Sequence, residues 1–164
     1  MDIRELLIQD HQEALQLAER IERSDDPAEA EQLFVQLREA IVKHSRGEER
    51  ILYPALEDSG DEEAAEMARE AAVEHELVDL LFDRMTRMRS GSDNWKARAS
   101  VVKELLEHHV EEEQEEVFPR MDALFDEQEL QQMGERFRTY KERFRMPAAA
   151  GGRAPRAGQT GTRH

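Results

Sequence analysis

Four stretches of this chain carry apolar residues at helical spacing, and one histidine interrupts each stripe. The first, residues 2–23, aligns Ile3, Leu7, His11, Ala14, Ala18 and Ile21. The second, 27–53, aligns Leu33, Leu37, Ile41, His44, Glu48 and Ile51. The third, 61–89, aligns Ala64, Ala68, Ala71, His75, Val78, Phe82 and Met85, and the fourth, 94–118, aligns Val102, Leu105, His109 and Glu113. Ser24-Asp25-Asp26-Pro27 reads as a turn, with Asp26 as N-cap and Pro27 in the first helical position. Asp58-Ser59-Gly60 and Ser90-Gly91-Ser92-Asp93 break the chain again. Helices of similar length with short connections pack as an up-down-up-down bundle, so the expected class is all-α. A shorter amphipathic helix, 126–145, follows with Leu130, Met133, Phe137, Tyr140 and Phe144. It packs either on its own bundle or on a second subunit, which leaves monomer and homodimer open. The expected domain is 1–146. From Pro147 the chain has nothing to bury, and 147–164 reads as a disordered tail.

Composition narrows the chemistry. There is no cysteine, which removes disulfides, iron–sulfur clusters and thiolate zinc sites. The formal net charge of −15 argues against nucleic acid and anionic membranes as partners. No apolar N-terminal stretch resembles a signal peptide and no run reaches membrane-spanning length, so the expected location is the cytoplasm.

The histidines carry the functional signal. His44 and Glu48 are four apart, as are His109 and Glu113, and residues so spaced stand about 5–6 Å apart at Cβ on one helix face. Both pairs lead to an aromatic-proline step, Tyr53-Pro54 and Phe118-Pro119, which makes a weak internal repeat. One His-x3-Glu pair alone is an ordinary surface ion pair, and His11 or His75 alone is an ordinary core histidine. Six such groups on four apolar stripes are different, because burying them without partners costs several kcal/mol each. A pair of metal ions answers that cost. Four imidazoles and two carboxylates suit iron, and manganese or zinc less specifically. His108 adjoins His109, but only His109 has the spacing to its proline that His44 has, so His108 reads as a boundary residue. No Glu-x-x-His is present, which disfavours the ferritin-type di-iron bundle.

Asp79, one turn after His75, reads as a boundary salt bridge rather than an extra ligand. Tyr53 reads as packing at the end of the second helix rather than a phenol near the metals. Gly47 costs about 1 kcal/mol in a helix relative to alanine, which suggests a close helix approach or access to the site. Trp95 reads as a cap on the bundle end. The run Glu111–Glu116 reads as solvated surface apart from Glu113. His164 lies in the tail.

Taken together, Asp10-His11, His44-x3-Glu48 with Tyr53-Pro54, Glu74-His75-Glu76 and His109-x3-Glu113 with Phe118-Pro119 resemble the hemerythrin-like (HHE) cation-binding domain, over about residues 5–120. The resemblance implies a non-haem centre of two iron ions with an oxo or hydroxo bridge. His11, His44, His75 and His109 would be terminal ligands, and Glu48 and Glu113 would bridge. Oxygen-carrying hemerythrins have a fifth histidine where this chain has Ala71, and an aspartate five residues after the last histidine, where this chain has Glu113 at four. The four-histidine, two-glutamate set is similar to members linked to iron–sulfur repair, nitric oxide or peroxide handling. The expected function is therefore binding of, or reaction with, a small oxidant (O2, NO or H2O2), with weak redox turnover left open. The alternative is an iron-sensing or iron-handling module whose helical order depends on metal loading.

Overall fold

Asp2 starts the first helix. Its carboxylate accepts from the Arg4 and Glu5 backbone amides while Glu5 reaches back to the Asp2 amide, so the exposed N-terminal donors are satisfied reciprocally. The computed structural model describes residues 1–147. Helix α1 spans Ile3–Arg23, α2 Pro27–Glu57, α3 Glu62–Met85 and α4 Asp93–Glu112. A π-helical turn, Glu113–Val117, joins α4 to α5, Phe118–Leu124, and α6 spans Glu127–Arg143. Asp126 and Glu129 repeat that reciprocal pairing on α6, while Asp26, Asp61 and Ser92 cap α2, α3 and α4 by accepting from one first-turn amide each. Gly60 turns the chain between α2 and α3 with φ of +82°, a conformation that favours glycine.

Helices α1 to α4 form the expected bundle, α1 against α2 and α4, α3 against α2 and α4. The fifth amphipathic segment, α6, packs on α1 and α2 of the same chain. It buries Leu130, Met133 and Phe137, and Gly47 is the reason it can come so close. A Cβ at Gly47 would stand 2.4 Å from the Phe137 ring. Of the two readings of that glycine, close approach is the one realised. The tail readings from Ala148 onward, His164 included, lie outside the described residues.

Three helix ends differ from expectation. Helix α2 runs beyond the expected 53, through Pro54 to Glu57, and stops at the expected break Asp58-Ser59-Gly60. Pro54 faces solvent, so its missing N–H strands only the exposed-side carbonyl of Arg50. The fourth helix also continues past its proline, through the π turn and α5 to Leu124. A proline ring clashes with the carbonyl four residues back, and a turn widened to five-residue hydrogen bonding relieves that crowding. Helix α3 ends at Met85 rather than 89, with the Thr86 amide closing the last turn on Phe82.

The core is split. One apolar cluster gathers Leu17, Ile21, Leu33, Phe34, Phe82 and Val102, with Trp95 stacked edge-on to Phe34 at 5.7 Å. The other gathers Ile3, Leu7, Leu52, Leu56, Met121 and Phe137. Helices α1, α2 and α3 contribute to both, α4 contributes to the first and its continuation through the π turn and α5 to the second, and the histidine of each stripe falls between them.

Candidate metal centre

All six predicted residues are buried in this layer, and Glu48 is fully enclosed. Ligand atoms of His11, His44, Glu48, His109 and Glu113 lie within 4.8 Å of one another. His75 stands at the edge of the group, its Nε2 3.2 Å from Glu48 Oε2. Each Nε2 faces the glutamates. His44 is 3.3 Å from Glu48 Oε2, and His11 is 3.1 Å from Glu113 Oε2. His109 is 3.7 Å from Glu48 and 3.5 Å from Glu113. These approaches are close but poorly aligned for hydrogen bonding. His11 Nε2, His44 Nε2, His109 Nε2, Glu48 Oε1 and both Glu113 oxygens have no hydrogen-bond partner, although all are buried. Buried polar groups are nearly always paired. Atoms that converge on a common space without pairing, all of them metal-ligand types, fit a cation there.

The sequence model of the hemerythrin HHE cation-binding domain matches residues 2–121. The chain belongs to that family. It is 26% identical over 140 residues to an uncharacterized hemerythrin-like protein of Schizosaccharomyces pombe, covering 85% of this chain and 69% of that protein. It is 23% identical over 161 residues to a DNA nickase of Nostoc, covering 96% of this chain but only 44% of the relative. The fold matches a crystal structure of a hemerythrin HHE cation-binding domain-containing protein from Mycobacterium kansasii. That match has a TM-score of 0.72 and 23% identity, over 87% of this chain and 88% of the other.

In this HHE domain the outer ring nitrogens are as ordered as the inner ones. His44 Nδ1 is 3.1 Å from Asp10, and His109 Nδ1 is 2.9 Å from Glu74. His75 Nδ1 is 3.0 Å from Glu49, and His11 Nδ1 is 3.0 Å from Gln114 Nε2, an amide nitrogen rather than a carboxylate. A carboxylate on Nδ1 holds the proton there, leaves the Nε2 lone pair for a metal and fixes the ring plane. The pattern is two-fold. The acidic residue before each α1 or α3 histidine supports the ring on α2 or α4. The residue five after each α2 or α4 histidine supports the ring on α3 or α1. Periodicity hides the second pair, because five residues along a helix rotates off the apolar stripe. The shared acid-histidine step, Asp10-His11 and Glu74-His75, was the available signal for the first.

Burial alone would push the His44 imidazole down, but the charges of Glu48 and Asp10 prevail and raise it to about 10. His75 and His109 are raised in the same way, against burial, by the carboxylates beside them: Glu48 and Glu49 at His75, and Glu113, Glu48 and Glu74 at His109. Burial would raise Glu48, yet the surrounding histidines hold it well below the usual carboxylate range. Without a cation, protons carry the positive charge this layer requires.

Tyr53 is where the sequence reading needs correcting. The helix does not end there, so the ring is buried inside the bundle and its hydroxyl donates to Glu48 Oε2 at 3.2 Å. The same oxygen is 3.2 Å from His75 Nε2. Burial and the Glu48 charge raise its pKa well above the ordinary phenol value. Asp79 pairs with Arg46 outside the cluster, as the salt-bridge reading expected. His108 is exposed and points away from the centre, with Glu74 and Glu112 beside it.

Proposed function

We propose that this chain is a non-haem di-iron protein that binds or reacts with a small oxidant such as dioxygen, nitric oxide or hydrogen peroxide. The residues holding the iron would be His11, His44, Glu48, His75, His109 and Glu113. The observation that carries this reading is the convergence of buried, unpartnered imidazole and carboxylate atoms in a family of cation-binding bundles. Mixed nitrogen and oxygen donors suit iron, with manganese and zinc as competitors. Bound iron would supply redox and Lewis-acid chemistry.

The chain's own residues do the rest. Four histidines present Nε2 as terminal donors on rings fixed through Nδ1. Glu48 faces three of those rings and Glu113 faces two, the disposition expected of bridging carboxylates. Tyr53 holds Glu48 in place. On the histidine side lies a cavity of about 20 Å³ walled by Ala14, Ile41, Val78, Leu105 and Leu106. A space of that size, lined also by the four histidines, takes one or two water-sized molecules and so selects for very small ligands. The working unit is residues 1–146, acting in the cytoplasm. A net charge of −15 disfavours nucleic acid as partner, so the DNA nickase name stays with the Nostoc relative. No helix among the described residues is long and apolar enough to cross a membrane.

The test is elemental analysis of the purified protein with its ultraviolet–visible spectrum before and after peroxide. Near two irons per chain, with charge-transfer absorption that changes on oxidant addition, is the expected result. Zinc alone, or a silent spectrum after iron reconstitution, would overturn it. A second reading, an iron-sensing module, is favoured by the placement of the centre between two apolar clusters, since a cation there adds to folding stability. Equal melting temperatures with and without iron would remove that reading.

A further inference from the structure

A second pocket of about 40 Å³, which shares Glu74 and His109 with the first cavity, opens between α3 and the π turn. Carboxylates line it in order of depth. Glu70 and Glu116 are exposed at the rim, Glu74 and Glu112 are half-buried, and Glu113 is buried at the floor beside His109. No lysine or arginine lines it. At the half-buried level, Glu74, exposed His108 and Glu112 bring one ligand atom each within 4.8 Å of one another. His108 Nε2 is 3.2 Å from Glu112 Oε1 and 3.5 Å from Glu74 Oε1. Glu74 also touches the inner layer through its other oxygen, at 2.9 Å from His109 Nδ1.

Acidic side chains crowd many surfaces without meaning. Here the pocket ends on the buried centre itself: Glu113, 3% exposed and lining this pocket, has neither carboxylate oxygen hydrogen-bonded. We propose that Glu74, His108 and Glu112 form an outer divalent-cation site that loads the buried centre through this acidic pocket. The inference rests on the reading of the buried layer as a metal centre. One imidazole and two carboxylates with an open side give a weak, exchangeable site for ferrous iron or a similar ion. A pocket lined by one sign of charge raises the local cation concentration and the rate of entry. Ala71, small and half-buried on the same wall, leaves the passage clear where a larger side chain would fill it.

The test uses cobalt(II) and manganese(II) salts with the cation-free full chain. Stopped-flow absorption follows cobalt entering the buried centre, and nuclear magnetic resonance follows broadening of the His108 ring signal by substoichiometric manganese. The His108→Ala/Glu112→Gln double variant and, at the rim, Glu116→Lys are compared with the native chain. Cobalt entry should slow about tenfold in the double variant, and less at Glu116→Lys. The native rate should fall with added salt. The His108 signal should broaden at low manganese. Unchanged entry rates in both variants would overturn the loading role even if His108 broadens, and an unbroadened His108 would overturn the outer site. If cobalt enters the buried layer of neither native chain nor variants, the metal-centre reading fails, and the outer site fails with it for want of a destination.

Discussion

The α2 and α4 halves of the centre use one plan and finish it differently. His44 and His109 match, as do Glu48 and Glu113, Glu49 and Gln114, Pro54 and Pro119. On the α2 side, Gly47 precedes the glutamate and lets Phe137 of α6 close over it. Tyr53 follows and hydrogen-bonds Glu48. On the α4 side, the residue before the glutamate is Glu112, the aromatic is Phe118 with no hydroxyl to offer, and a π turn begins at Glu113 itself. One carboxylate is held and covered, while the other is left unpartnered beside an acidic pocket. A duplicated histidine–glutamate pair can thus have a fixed side and a less restrained side without any change in the pair itself.

The sharpest way to break this arrangement is to remove the held carboxylate. Glu48→Ala should abolish metal loading and any oxidant reactivity together, by elemental analysis and absorption. Full di-iron loading in that variant would rule out a bridging Glu48.

Changing pH tests the charge balance. The raised His44 pKa contributes stability that is whole below its ordinary value of 6.5 and lost as pH climbs through about 10. His75 and His109 act in the same sense. The lowered Glu48 contributes above 4.5 and is lost in acid. Chemical denaturation of the cation-free chain should therefore show a loss on the order of a few kcal/mol between pH 7 and 10. Metal affinity should rise over the same interval, because loading displaces protons. A cation-free chain that gains stability across that range would contradict the assigned protonation.

Gly47→Ala attacks the cover on the α2 side. The new methyl would meet the Phe137 ring, which has to move, at about 1–3 kcal/mol by thermal melting. An unchanged melting temperature would show that α6 docks loosely. The smallest effect is expected from making the halves alike: Tyr53→Phe should cost about 1 kcal/mol through the lost hydrogen bond to Glu48. It should also quicken cobalt exchange at the centre, and identical exchange would show that the hydroxyl does not fasten Glu48.

The sequence made the inward histidines and glutamates plain because they sit on the apolar stripes, where ionisable groups are conspicuous. The same stripes revealed the bundle and α6. Gln114 and Glu49 escaped notice because they lie off the stripe, among ordinary surface residues in an acidic chain. Tyr53 reads as packing at the end of the second helix, yet that helix runs on to Glu57, because the Pro54 ring faces outward, where one lost backbone hydrogen bond costs little. The π turn has no signal beyond Pro119, since the identical aromatic-proline step on α2 is carried by a regular helix.

The charged layer between the two apolar clusters also has a kinetic meaning. Helices that cross it are anchored above and below by hydrophobic packing, but at the layer itself, without a cation, their mutual attraction depends on shared protons. Backbone amides flanking His44 and His109 can then open to solvent by local fluctuation, while those facing Phe82 or Met121 must await global unfolding. Hydrogen exchange should show a slow–fast–slow profile along α2 and α4, and iron should flatten it. The bundle's weakest seam would then be its functional one, and a loaded molecule would be distinguished from an unloaded one by how it breathes at its waist rather than by its average shape.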